Sequence, residues 1–436
     1  MTQIISILSV LHPLLSKTTT KQLTIITEAI FCMTGRITML GISRWTRRGG
    51  SYRTIQRFFK KKIDWMQVLW LIIETFLIEK DEPIILAGDT TVVTKAGKKT
   101  HGLGWFFSST HNRALYSISF QVLSIISTKS RKSYPIASEQ LKYDPKKKEE
   151  PIEEKPKEKG KPGRPKGSKN KNKRDVVLSE TYLQIQRMIK DVLKLIRSHV
   201  KTIYFVYDGA FGNNNAIQMT RQTGLHLISK LKHNSNLFFQ FTGTYAGRGR
   251  RRIYGDKVDC FDIPIKYLKK MAFKDGVKTC YFQFTARHKR FADPLNIVVL
   301  LKTNLKTKKT AKVILFSTDL ELNCEKIVDY YRLRFQIEFN FRDAKQYFGL
   351  EDFMVLSEQS VSNFVHLSFF CANLSQVLMQ KTGEKSIIDL KLRYHGHYYA
   401  SHILKIVSNL GFTIKKDEVL DAIPIFGSIH RKKKVA

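Results

Sequence analysis

Along the first eighty residues, apolar positions recur at helical spacing. "SYRTIQRFFKKKIDWMQVLWLIIETFLIEK" opens on Ser51, a good helix cap, and then sets aromatic and aliphatic residues beside a basic face. The opening "MTQIISILSVLHPLLS" is apolar but lacks a basic leader and is interrupted by His12 and Pro13, which fits a first helix better than a signal peptide. The period then changes. "PIILAGDTTVV" (83–93) and "ALYSISFQVLSII" (114–126) are rich in β-branched and apolar residues and predict strands. "ETYLQIQRMIKDVLKLIRSHV" returns to the helical period, followed by "TIYFVYDGAFGN", a buried strand ending on aspartate and glycine, and "GLHLISKLK", a further short strand. From 234 to 320, short apolar segments broken by Gly, Lys and Asn predict antiparallel β structure. Helical patterns resume and run to a basic tail, "HRKKKVA".

Between the early strands and the amphipathic helix the pattern lapses. Residues 142–174 hold scarcely an apolar residue to bury, which predicts a solvated, disordered insertion. The patterns divide the α/β chain into residues 1–80, helical and a candidate DNA-binding unit; 81–140, the first part of the core; 141–177, the lysine-rich insertion; and 178–233, the second part of the core. Then come 234–320, a mainly β insertion; 321–380, a late helix and the end of the core; and 381–436, a helical region with its basic tail. For the N-terminal block, a unit resembling helix-turn-helix and a core helix with solvated lysines are equally good readings.

Charge narrows the partner. The 75 Lys and Arg against 37 Asp and Glu give a net charge of +38, which points to a polyanion. The apolar runs are too short or too broken to span a bilayer, so no membrane is expected. The five scattered cysteines form no C-x-x-C pair, which argues against a disulfide framework or zinc module and fits a reducing cytoplasm. Within the insertion, "KPGRPKGSKNK" resembles an AT-hook, which would put Arg164 and Lys166 on DNA; its other reading is a nonspecific basic tether.

Three acids fall where chain ends converge: Asp89 late in the first predicted strand, Asp208 after the strand that follows the amphipathic helix, and Glu338 on the late helix. Singly each has a plain alternative as a turn or cap residue. On one uninterrupted helix over 330–349, Tyr331, Arg334, Glu338 and Lys345 share an arc of roughly 60°. Leu333, Ile337, Phe341, Ala344 and Phe348 form a separate core face. An Arg334–Glu338 salt bridge explains that pair but leaves Tyr331 and Lys345 without a reason.

The spacing of Tyr331, Arg334, Glu338 and Lys345 resembles the Y-R-E-K signature of DDE transposases of the IS-four type. That resemblance implies a ribonuclease-H-like core carrying Asp89 and Asp208, with the mainly β insertion between Asp208 and Glu338. It implies that Asp89, Asp208 and Glu338 are the catalytic metal ligands, holding two Mg²⁺ ions for which Mn²⁺ can substitute. Tyr331, Arg334 and Lys345 would bind DNA phosphates. The implied partners are transposon ends and target DNA, with a homodimer in the synaptic complex, in the bacterial cytoplasm and nucleoid. The alternatives are a catalytically inactive, repurposed DNA-binding transposase, another ribonuclease-H-like nuclease, and a basic protein coating nucleic acid. "GRGRRRIYGDK" is a basic loop that could follow a DNA backbone, and His395, His397 and His402 read as polar packing rather than a metal site.

Overall fold

In the computed structural model the described residues are 2–46, 49–108, 111–142, 172–245, 247–249, 251–410, 414–423 and 429–430. The segment with Arg164 and Lys166 lies outside them, as does the basic tail beyond His430. The chain begins with helices α1 (Thr2–Leu8), α2 (Lys17–Cys32), α3 (Met39–Trp45), α4 (Tyr52–Phe59) and α5 (Trp65–Phe76). Ser51 caps α4 as its sequence position predicts, accepting a bond from the Thr54 N–H. The helical stretch then breaks, and Asp64 starts α5 by accepting from the Gln67 N–H.

Strands follow: β1 (Ile84–Thr94), β2 (Gly104–Ser108), β3 (Arg113–Ser127) and β4 (Ser133–Leu141). Next come α6 (Glu180–Ile196), β5 (Tyr204–Val206), α7 (Asn214–Arg221) and β6 (His226–Lys230). The β-rich stretch supplies β7 (Leu237–Gln240), β8 (Tyr254–Lys257), β9 (Leu268–Lys274), β10 (Val277–His288), β11 (Leu295–Asn304) and β12 (Thr310–Ser317). The chain closes with α8 (Cys324–Leu333), α9 (Gln336–Tyr347), α10 (Glu358–Thr382), α11 (Ile387–Asn409) and α12 (Lys416–Ala422).

The strands form one 12-stranded sheet in the order β2-β3-β1-β5-β6-β12-β11-β10-β7-β8, with β4 on β3 and β9 on β10. β1, β3 and β4 are antiparallel neighbours, while β5 and β6 run parallel to β1. This is a ribonuclease-H-like core. A parallel return needs a crossover, and α6 and α7 precede β5 and β6 respectively. The β-rich stretch is continuous with that core, because β12 pairs antiparallel with β6, Phe316 opposite Ser229.

Alternation along the strands divides the apolar residues between the two faces. Leu86, Phe205 and Leu227 join a cluster that includes Ile185, Ile189 and Val192 of α6. Ile85, Ala87, Val206, Ile228 and Leu315 join another with Ile327, Val328 and Leu333 of α8. The terminal helices share the larger core. Phe59 stacks on Phe364 at 4.5 Å. The Trp65 indole N–H donates to Asn363 Oδ1 at 2.8 Å, and the Asn363 amide donates to the carbonyls of Phe59 and Lys61. Among the described residues no helix is long and apolar enough to cross a membrane.

Candidate active site

The residues of β1 from Ile84 to Gly88 are buried, and Asp89 is the first of the strand with partial access to solvent. Gly88 is small for a reason: a Cβ there would lie 2.6 Å from the Tyr207 ring. The Tyr207 hydroxyl donates to Gln121 Oε1 at 2.8 Å, and the Gln121 amide donates to the Asp89 carbonyl at 3.2 Å. Gln121 therefore ties β3 to β1 and to the end of β5. The pattern-based reading missed it, although a single glutamine inside the apolar run "SISFQVLSII" was the available signal.

Asp208 lies two residues beyond Val206. It caps a short helical turn by accepting from the Ala210 N–H at 3.0 Å, while Ser229 Oγ donates to its carbonyl. Because β5 runs parallel beside β1, the two aspartates emerge at the same end of the sheet.

The late helix differs from expectation. The uninterrupted helix over 330–349 is two helices, with Arg334 ending α8 and Phe335 preceding α9. At the joint the bonds tighten to three-residue spacing, from Ile337 N–H to Arg334 O and from Glu338 N–H to Phe335 O, both 3.1 Å. The packing explains the change of axis: α8 lies on β6, β10, β11 and β12, whereas α9 lies on β1, β4 and α10. Leu333, Ile337, Phe341, Ala344 and Phe348 are all buried across the joint, so the apolar spacing does not reveal it.

The joint places Arg334 between two of the candidate acids. Its Nη1 donates to Asp89 Oδ2 at 2.8 Å and its Nη2 to Glu338 Oε1 at 3.3 Å. Its guanidinium carbon lies 5.9 Å from the centre of the Tyr331 ring. The Arg334 Nε is buried with no partner. The expected Arg334–Glu338 pair is thus present, but as one limb of a bridge that also holds Asp89.

Burial pushes the Asp89 carboxyl up to about 6, against the pull of Arg334 and the Thr90 N–H, with Asp208 and Glu338 adding to the rise. Burial opposes the charge on Arg334, yet Asp89, Tyr331, Glu338 and Asp208 together hold it more firmly protonated than usual. Burial also raises the Tyr331 phenol, and Asp208 adds to that rise. The charges of Asp89, Asp208 and Glu338 therefore all bear on one guanidinium.

Lys345 faces elsewhere. Its Nζ donates to the Val92 carbonyl at 2.8 Å and pairs with Glu351 at 3.0 Å, which ties α9 down on β1. Of the other candidates, His395 and His397 bond to the carbonyls of Cys32 and Leu420 as packing residues do. In the basic loop Arg252 donates to the Tyr254 carbonyl, while Ala246 and Arg250 lie outside the described residues.

Hard oxygen donors are the right class for Mg²⁺ or Mn²⁺, and Asp89 and Glu338 stand within the span of a single guanidinium. Among the described residues, however, no group of three or more His, Cys, Asp or Glu residues forms a ready metal cage. Arg334 supplies the positive charge between Asp89 and Glu338.

Residues 10–280 match the family model described as "DDE superfamily endonuclease". The chain belongs to the DDE superfamily of endonucleases. Residues 276–387 also match a model described as "Archaeal putative transposase ISC1217". No curated protein matches this chain. Among solved structures it is similar to the piggyBac transposase synaptic complex with hairpin DNA, solved by cryo-EM, at 12% identity and a TM-score of 0.36. That likeness covers 85% of this chain and 60% of the other, so the chain spans less than two thirds of that neighbour's length.

Proposed function

We propose that the protein is a DNA transposase of the IS-four type, cutting transposon ends and joining them to target DNA at Asp89, Asp208 and Glu338. The observation that carries this reading is the single guanidinium of Arg334, bridging Asp89 and Glu338 with the charge of Asp208 also acting on it, in a DDE endonuclease of net charge +38. The Y-R-E-K spacing supports the assignment, since Tyr331, Arg334 and Glu338 cluster around one point.

Asp89, Asp208 and Glu338 would hold two Mg²⁺ ions, or Mn²⁺, and metal bound there supplies stabilisation of charge on the attacking and leaving oxygens. Arg334 keeps Asp89 and Glu338 together while they lack that charge. Its planar fork then suits a strand phosphate, which it can take up as it releases one carboxylate. Tyr331 offers a phenol to the same strand. Lys345 acts mainly by fixing α9 on β1, so that Glu338 stays opposite Asp89, and it can add its charge to a phosphate near Val92. Arg164 and Lys166 would add backbone contacts.

The substrates are transposon-end and target DNA, handled by a homodimer in the synaptic complex, in the bacterial cytoplasm and nucleoid. All five cysteines are free, which suits a reducing compartment.

The test is cleavage of labelled linear DNA carrying the element's own ends, with Mg²⁺ or Mn²⁺, by the native protein and by Glu338→Gln. Metal-dependent cuts at the ends that disappear in the variant while binding persists support transposition. Sequence-specific binding with no cutting by the native protein, in conditions where a control transposase cuts, would replace this reading with a non-catalytic DNA-binding role.

A further inference from the structure

The sheet carries aromatic residues that no core uses. Strand β2 pairs with the start of β3, with Trp105 opposite Tyr116 and Phe107 opposite Ala114. Directly opposed residues share a face, and so do alternate residues along a strand, so Trp105, Phe107 and Tyr116 lie on one side of this ribbon. They are 58%, 62% and 37% exposed, and the Trp105 and Tyr116 rings meet at 5.9 Å. Edge strands are ordinarily blunted with charge; this one displays large aromatic faces.

We propose that the Trp105–Phe107–Tyr116 face is a stacking platform for unpaired bases of the DNA strand processed at the carboxylates, an inference that rests on the proposed function. The register links the two places. Tyr116, Ile118, Phe120 and Val122 alternate along β3 on one face, and Val122 is opposite Asp89, so the platform and Asp89 share a face of the sheet. Six residues separate Tyr116 from the row of Asp89, about 20 Å along the strand. Helix α9 lies along about half of that interval, with Glu338 on the Arg334 that holds Asp89 and Lys345 on Val92, opposite Ser119. At the duplex rise of about 3.4 Å that distance is about six nucleotides, and an unpaired, extended strand covers it in fewer.

Charge and shape select the occupant. Lys98, Lys99 and Arg113 are exposed around the ribbon, in a chain of net charge +38, and suit phosphates. Aromatic faces suit bases, and only bases outside a duplex present a free face to stack on. A second copy of the protein has the same positive charge and is the poorer fit.

Trp105 is the exposed tryptophan: Trp65 and Trp70 are buried, and Trp45 packs on His395, Tyr398 and Tyr399. The experiment is a metal-free fluorescence titration with a twenty-nucleotide oligo-dT and with a duplex of equal length, accompanied by sedimentation. Oligo-dT is expected to quench a component that Trp105→Phe lacks. Phe107→Ala and Trp105→Ala should weaken oligo-dT binding about 5- to 100-fold each and leave duplex binding unchanged. Unchanged oligo-dT affinity in both alanine variants would overturn the proposal, as would loss of a dimer in Trp105→Ala, which would make the face an interface between copies. Failure of the transposase reading has a different signature, namely native protein that shows the oligo-dT response yet cuts no transposon end.

Discussion

The two halves of the sheet are built differently. In the half from β4 to β6 helices cover the strands, and β3 is buried on both faces from Ser117 to Ser127. In the half from β10 to β8, β9 has no buried residue and Phe273 on it is 65% exposed. Both halves share one hydrogen-bonded sheet, so pairing does not separate them; coverage does. All three candidate acids belong to the covered half or to the helices lying on the sheet. The comparison teaches where these carboxylates can be held: beside covering helices, where Asp89 is shielded from water, Glu338 keeps a 42% exposed side chain and one cation is shared between them.

The sharpest way to break the contrast is chemical. Asp89→Asn and Glu338→Gln should each lower end cleavage by more than about 100-fold with DNA binding retained, a scale reached even by removing outer partners of a metal site. A gel assay of cleavage beside a binding titration measures both. Stability should divide along the same line. Phe205→Ala, in the covered half, should cost about 3–5 kcal/mol in chemical denaturation, whereas Phe273→Ala should stay within about 0.5 kcal/mol. Equal costs would show that the open half is covered in solution.

Gly88→Val should cost about 1–3 kcal/mol, because the added atoms meet the Tyr207 ring. The cost of Gly88→Val measured again in a Tyr207→Ala background checks the cause, since it should be smaller there than in the native protein. A pH effect concerns Lys391, whose Nζ donates to the carbonyls of Ile30 and Tyr347. Burial lowers it from the usual 10.5 to about 8, so between those values the folded protein binds fewer protons than the unfolded chain. Stability should therefore rise with pH across that interval. The native protein should gain more from pH 8 to 10 in thermal unfolding than Lys391→Met does.

Much of this was legible in residues alone. Ser51 as a cap, the strands containing Asp89 and ending before Asp208, the buried stripe from Leu333 to Phe348 and the β character of 234–320 each rest on local periodicity or cap chemistry. Strands β2 and β4 escaped notice. In β2, "GWFFS" is short and has its aromatics outward, while β4 contains Pro135, which sits at the edge of the core where its missing N–H breaks no inner ladder. The break at Arg334–Phe335 was illegible because the core-facing spacing runs through it unchanged.

The sequence by itself determined most of the element types, the excess positive charge and which acids are candidates, because these depend on neighbours within a few residues or on composition alone. Tertiary structure decided that Arg334 bridges Asp89 and Glu338, that Lys345 ties α9 to Val92 and that Gln121 clamps the strand bearing Asp89. Those contacts join residues up to 253 positions apart in the chain. Their distances depend on which strands lie side by side and which helix covers them, information that a local pattern of polar and apolar residues does not contain.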